Sequence, residues 1–190
     1  MIVDNKPYRR SIRLKTWDYS TPWYYFVTIC THEKHNLFGQ IQKRQMVLNA
    51  WGKTIETIWW SLPKHHHVEL DQFVIMPNHV HGILILSVCR GIACNARDDK
   101  QNNIQTGFAR KTLTRENRFA QVIAGTLSCV IRSFKSESTK QIRKQTENDY
   151  PVWQRNYYEH IIRNEKELEQ TQKYIHDNPQ NWEEDEEFRD

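Results

Sequence analysis

The chain has 190 residues, enough for one domain with a sizeable core. Its 12% aromatic content excludes a disordered polymer, and no run nears the ~18 apolar residues of a membrane-spanning helix. Net charge is +4, but the last eight residues hold six acidic side chains and one Arg, so the 26 basic and 17 acidic residues up to Trp182 leave +9, a balance that points to a polyanionic partner such as nucleic acid.

In chain order, residues 8–15 form a basic arm, with Arg9, Arg10, Arg13 and Lys15 available for phosphate contact. Residues 23–30 (WYYFVTIC) are aromatic and β-branched and read as a buried strand. Residues 32–39 are polar and turn-like. Over residues 43–62, Val47, Leu48, Trp51, Ile55, Ile58 and Trp59 fall at helical spacing, and Pro63 is expected to end that helix. Residues 68–76 and 79–86 read as two strands joined by a tight reversal at Pro77-Asn78, hence an antiparallel pair.

Periodicity is lost from residue 87 to 118, which reads as a mobile insertion, with Arg110, Lys111, Arg115 and Arg118 as further phosphate contacts. Residues 119–145 regain helical spacing and carry Lys135, a candidate DNA contact together with Arg155. Residues 152–162 read as a strand leaving the sheet. Residues 165–177 form a last helix stopped by Asn178-Pro179, and residues 183–190 form an acidic tail. This order predicts a single α+β domain over 1–190: a ferredoxin-like antiparallel sheet (βαββαβ) with an added C-terminal helix.

The four cysteines form no CxxC pair and no export signal is read, so reduced thiols and a cytoplasmic location are expected. His79-Val80-His81 opens an apolar strand. Alternate strand residues share a face, so both imidazoles project together while Val80 points to the core. Two neutral imidazoles so placed can share one divalent cation. By contrast, His65-His66-His67 lies in a helix-to-strand connection with no carboxylate at ligand spacing and reads as a solvated loop.

The run FVIMPNHVHGILIL resembles the strand pair of the HUH single-tyrosine transposases, in which His, a hydrophobic residue and His follow a Pro-containing turn. Residues 153–179, within VWQRNYYEHIIRNEKELEQTQKYIHDNP, are similar to the closing region of that family, especially its REP-associated branch. The runs RRSIRLKTWDY and YYFVTICT also look like its longer members, which leaves only residues 87–118 unmatched. The resemblance implies that Tyr174, on the last helix, is the nucleophile and that Asn178, one turn later, is a third metal ligand. It also implies a Mg²⁺ or Mn²⁺ cofactor and single-stranded or hairpin DNA as partner. The two imidazoles favour the softer Mn²⁺.

A phenol ionises far more readily than an aliphatic hydroxyl, which suits attack on a phosphodiester and a 5'-phosphotyrosine intermediate that can be rejoined. The expected activity is therefore metal-dependent DNA transposition by strand cleavage and transfer. The family includes dimers that exchange the tyrosine helix as well as monomers, so a homodimer stays open. The rival readings are a domesticated DNA-binding protein that recognises palindromic repeats without turnover, and a zinc hydrolase, which lacks a third-ligand motif. Tyr157 and Tyr158 compete with Tyr174 as nucleophile, but read as packing or stacking residues.

Overall fold

The computed structural model describes residues 17–87, 126–146, 149–185 and 187–188. Its centre is a four-stranded sheet built from β1 (Tyr24–Cys30), β4 (Val68–Ile75), β5 (His79–Leu86) and β6 (Tyr158–Ile161). The strand order is β4-β5-β1-β6 and every pairing is antiparallel. With α1 (Ala50–His65) between β1 and β4 and α2 (Leu127–Thr146) between β5 and β6, this is the expected ferredoxin-like arrangement, and α3 (Glu165–Asp177) is the added C-terminal helix. Among the described residues no helix is long and apolar enough to cross a membrane.

Three expectations need correction. Residues 39–48 form a hairpin, β2 (Gly39–Gln42) with β3 (Gln45–Leu48), where a turn and the start of a helix were expected. Lys43 and Arg44 both take positive φ, as a two-residue hairpin turn requires, although neither is a residue that favours it. The helix starts only at Asn49, whose side chain accepts from the Gly52 N–H. Val47 and Leu48 had matched the helical period by chance.

Pro63 does not end α1. It lies in the last turn, and the helix closes at His65 with the His66 N–H bonded to Leu62 O. Finally, the last strand does not leave the sheet. Residues 158–161 pair with β1 as an edge strand, and upstream of them Trp153 makes an isolated bridge to Thr31. The insertion 87–118 lies outside the described residues except for Ser87.

Alternation along the strands divides the sheet into two unlike faces. Tyr25, Val27 and Ile29 of β1 and Val80, Leu84 and Leu86 of β5 join Ile55, Trp59 and Leu62 of α1 and Val130, Ile131 and Phe134 of α2 in one buried cluster. Trp59 stacks on Phe73 at 5.7 Å and meets Phe134 edge-on at 5.2 Å. It lies flush on Gly82, where an added Cβ would come within 2.3 Å of its Cζ2. Among the described residues the other face holds a small cluster of Ile83, Ile162 and Ile175, with Phe26, Val74 and Leu168 against it. Polar clasps tie α3 down there: Gln172 Nε2 donates to both oxygens of Asp71, and His160 Nε2 lies 2.6 Å from Glu167 Oε1.

Candidate active site

His79 and His81 stand at the start of β5 on the α3 face, with Cα atoms opposite Cys30 and Thr28. Both are buried and their ring centroids are 4.3 Å apart. Each ring is fixed through Nδ1: His79 Nδ1 lies 2.8 Å from Asn78 Oδ1, and His81 Nδ1 lies 2.9 Å from Thr28 Oγ1. Asn78 is oriented in turn because its amide nitrogen donates to Lys34 O and Glu187 O. Its oxygen can only accept, so His79 Nδ1 carries the proton and Nε2 presents a lone pair. Burial, and then the neighbouring His81, push the His79 imidazole well below its usual range and keep it neutral.

Asp185 joins this pair. Ligand atoms of His79, His81 and Asp185 all lie within 4.8 Å of one another, forming the one such group among the described residues. Burial alone would raise the Asp185 carboxyl. Hydrogen bonds at His81, at Asn178 and from the Glu187 N–H outweigh burial, and the group stays ionised well below the usual carboxylate range. Its Oδ2 accepts from Asn178 Nδ2 at 2.6 Å and lies 3.8 Å from His81 Nε2.

Two buried atoms here have no hydrogen-bond partner among the described residues: His79 Nε2 and Asn178 Oδ1. Each such atom costs ~1–3 kcal/mol, and both carry lone pairs suited to a cation. The residues present therefore fit a divalent ion, with His79, His81, Asp185 and Asn178 offering two nitrogens and two oxygens.

Tyr174 projects from α3 onto the same spot. Its hydroxyl lies 3.2 Å from His81 Nε2 and donates to Asp185 Oδ2 at 3.0 Å. Its ring is 5.2 Å from the His81 ring and edge-on to Phe26, and the residue remains 45% exposed. A cavity of about 400 Å³ adjoins it, lined by residues that include Lys173, Asp177, Asn178 and Glu184. His176 is exposed and takes no part in the site.

Asp185 is the residue that the sequence reading missed. It sits in what reads as an acidic tail, yet Trp182, Asp185 and Glu187 lie against the end of β1 and the start of β5. Trp182 packs 5.8 Å from the His79 ring, Phe188 packs on Trp182, and Glu187 pairs with Lys34 at 2.6 Å. The signal available in the sequence was Trp182 itself, a large apolar side chain at the head of the acidic run.

The candidate DNA contacts fare unevenly. Lys135 is spent on structure: its ammonium donates to Gln154 O at 2.9 Å and Asn156 O at 2.8 Å, and burial lowers its pKa to about 8. Arg155 is exposed. Arg9, Arg10, Arg13 and Lys15, like the four cations of the insertion, lie outside the described residues. His65 and His67 are exposed and His66 is half-buried, with no acidic group assembled around them among the described residues.

No family model matches the chain. It is 41% identical over 185 residues to an uncharacterised protein of Haemophilus influenzae, across 96% of this chain and 94% of that one. Its fold is similar to that of a REP-associated tyrosine transposase solved bound to a REP hairpin, with a TM-score of 0.50 and 20% identity over 92% of this chain and 72% of that one.

Proposed function

We propose that this chain, which belongs to one family with the Haemophilus influenzae protein and has the fold of a tyrosine transposase, is a metal-dependent enzyme that cuts and rejoins single-stranded or hairpin DNA. One observation carries the reading: the Tyr174 hydroxyl sits 3.2 Å from His81 Nε2, beside two buried lone pairs that no group among the described residues satisfies. The hairpin bound by the structural relative supports the same class of partner.

In this reading the Tyr174 oxygen attacks the scissile phosphorus. A phosphorus–oxygen bond forms to the phenol, and the bond from phosphorus to the 3'-oxygen breaks. The phenolic proton leaves to solvent, which reaches the half-exposed residue, and the 3'-oxygen takes up a proton to become a 3'-OH. The 5'-phosphotyrosine conserves the bond energy, so attack by another 3'-OH reverses the step and joins strands.

Asp185 accepts from the phenol and stays charged, so it orients Tyr174 toward the phosphate position without keeping the proton. His79 and His81, with Asp185 and Asn178, would hold the cation, and the mixed nitrogen–oxygen donor set favours Mn²⁺ over Mg²⁺. When bound, the cation supplies charge neutralisation at a non-bridging phosphate oxygen. Thr28 and Asn78 keep both imidazoles turned with Nε2 toward the site.

The test is a nicking assay on a hairpin oligonucleotide with Mn²⁺, resolved on a denaturing gel. Tyr174→Phe keeps the ring contacts and is expected to lose covalent DNA attachment by ~10³-fold or more while DNA binding persists. Undiminished adduct formation by that variant removes Tyr174 from the role.

A further inference from the structure

The chemistry above uses neither Tyr157 nor Tyr158, and strand alternation at the entry to β6 sends the two to opposite faces. Tyr157 packs against the large apolar cluster, with Lys135 Nζ 5.7 Å from its ring centroid. Tyr158 lies opposite Thr28 in the β1–β6 register, and Thr28 lies opposite His81 in the β1–β5 register. Tyr158 therefore belongs to the face that carries the His pair, one strand beyond the hydroxyl that fixes the His81 ring.

This side chain is 51% exposed, and its ring stacks on no other among the described residues. Among the described residues β6 is an edge strand, with no further strand on its outer side. The rest of the face is taken: α3 crosses it from His160 of β6, through Glu167, to Asp71 of β4, through Gln172, and Trp182 packs against His79. Among the described residues this leaves the Tyr158 end of β6 as the open approach to the site. Two strand spacings put Tyr158 ~10 Å from His81 across the sheet, within reach of a nucleotide next to one held at the His pair.

A rigid, flat and exposed ring beside a phosphodiester-binding centre fits one ligand class, an unpaired nucleobase, because every base has a π face and stacking needs no particular sequence. A paired base presents only its edges there. Arg155, exposed three residues upstream at the bend that leads into β6, offers a cation to the phosphate attached to such a base. We infer that Tyr158 is the stacking platform for an unpaired base flanking the scissile phosphate, a positioning residue that draws the single strand in from the β6 edge. The inference rests on the reading of the His79–His81–Tyr174 site as a DNA-cleaving centre.

The experiment uses the full chain with Mn²⁺ and a fluorescent hairpin oligonucleotide carrying an unpaired flank, with binding read by anisotropy and adducts by denaturing gel. Tyr158→Ala should weaken binding ~5- to 150-fold, the range expected for one base–aromatic stack, whereas Tyr158→Phe and Tyr158→Trp stay near wild type. An abasic nucleotide scanned along the flank should weaken the wild-type chain by the same factor at one position, and Tyr158→Ala should lose nothing further there. Equal binding by wild type and Tyr158→Ala, or abasic and Ala penalties that multiply at every position, overturns the stacking role. A wild-type chain that binds no DNA overturns the parent reading and this one together. A wild-type chain that binds with this stacking pattern and never cleaves sustains the platform and overturns only the catalytic reading.

Discussion

The two faces of the central sheet are made from the same strands, residue by residue, and they are put to opposite uses. On β5, Val80, Leu84 and Leu86 point into a dry layer closed by Trp59 and Phe134, with Gly82 pressed against the Trp59 ring. The residues between them, His79, His81 and Ile83, face α3, where among the described residues the apolar core is three buried aliphatic side chains with Phe26, Val74 and Leu168 against them, and polar contacts do much of the holding. The first face spends its burial on stability. The second gathers the unsatisfied lone pairs of His79 Nε2 and Asn178 Oδ1 beside the charged Asp185, a cost tolerated where a ligand is to be bound. By contrast, Trp59 Nε1 of the first face, unpaired among the described residues, is a donor with no lone pair for a cation. Substitutions on the two faces should therefore fail in different ways.

The largest effect is expected on the dry face. Trp59→Ala removes a fully buried ring from between Phe73 and Phe134, and its loss should cost ~3–5 kcal/mol in chemical denaturation. A loss under ~1 kcal/mol would mean that this face is not where the stability resides.

On the site face, His79→Ala should cost far less, because deleting the ring also removes an unsatisfied buried nitrogen. What it should remove is the response to metal. Mn²⁺ at a hundredfold excess over its dissociation constant should stabilise the wild-type chain by ~2.7 kcal/mol, read as a rise in Tm, and His79→Ala should abolish that rise. A variant that still responds to Mn²⁺ puts the ion elsewhere.

The smallest effect concerns pH in the absence of metal. The His79 imidazole is held below its ordinary range in the folded chain, so below about pH 6.5 the unfolded state takes up a proton that the folded state refuses. Stability should then fall as pH falls, by at most ~1.4 kcal/mol per unit, until the folded-state pKa is reached. Denaturation at pH 7.5 and 5.5 measures this slope, and His79→Ala should flatten it. An equal slope in both chains assigns the sensitivity to other groups.

Much of this architecture is legible in local patterns. Apolar alternation marks β1, β4 and β5, the helical period marks α1, α2 and α3, and His-x-His at the head of an apolar strand places two imidazoles on one face. The hairpin at residues 39–48 is not legible, because Val47 and Leu48 satisfy the helical and the strand period equally. Only Asn49 as the cap separates them. Lys135 illustrates the converse: a basic residue on a polar helix face reads as a surface contact, and its two carbonyl acceptors come from a loop about twenty residues downstream.

By itself, then, the sequence determined the sheet, its helices and the shared face of His79 and His81, because these follow from periods of two and 3.6 residues along a continuous chain. The tertiary structure alone decided that the Tyr174 hydroxyl reaches His81 across 93 positions, that Asp185 leaves an acidic run to complete the group, and that Tyr157 packs while Tyr158 is exposed. The physical reason is that convergence depends on how α3 and the turn after it cross the sheet. That crossing is set by the packing of Ile83, Ile162, Ile175 and Trp182, and no periodicity along the chain records it.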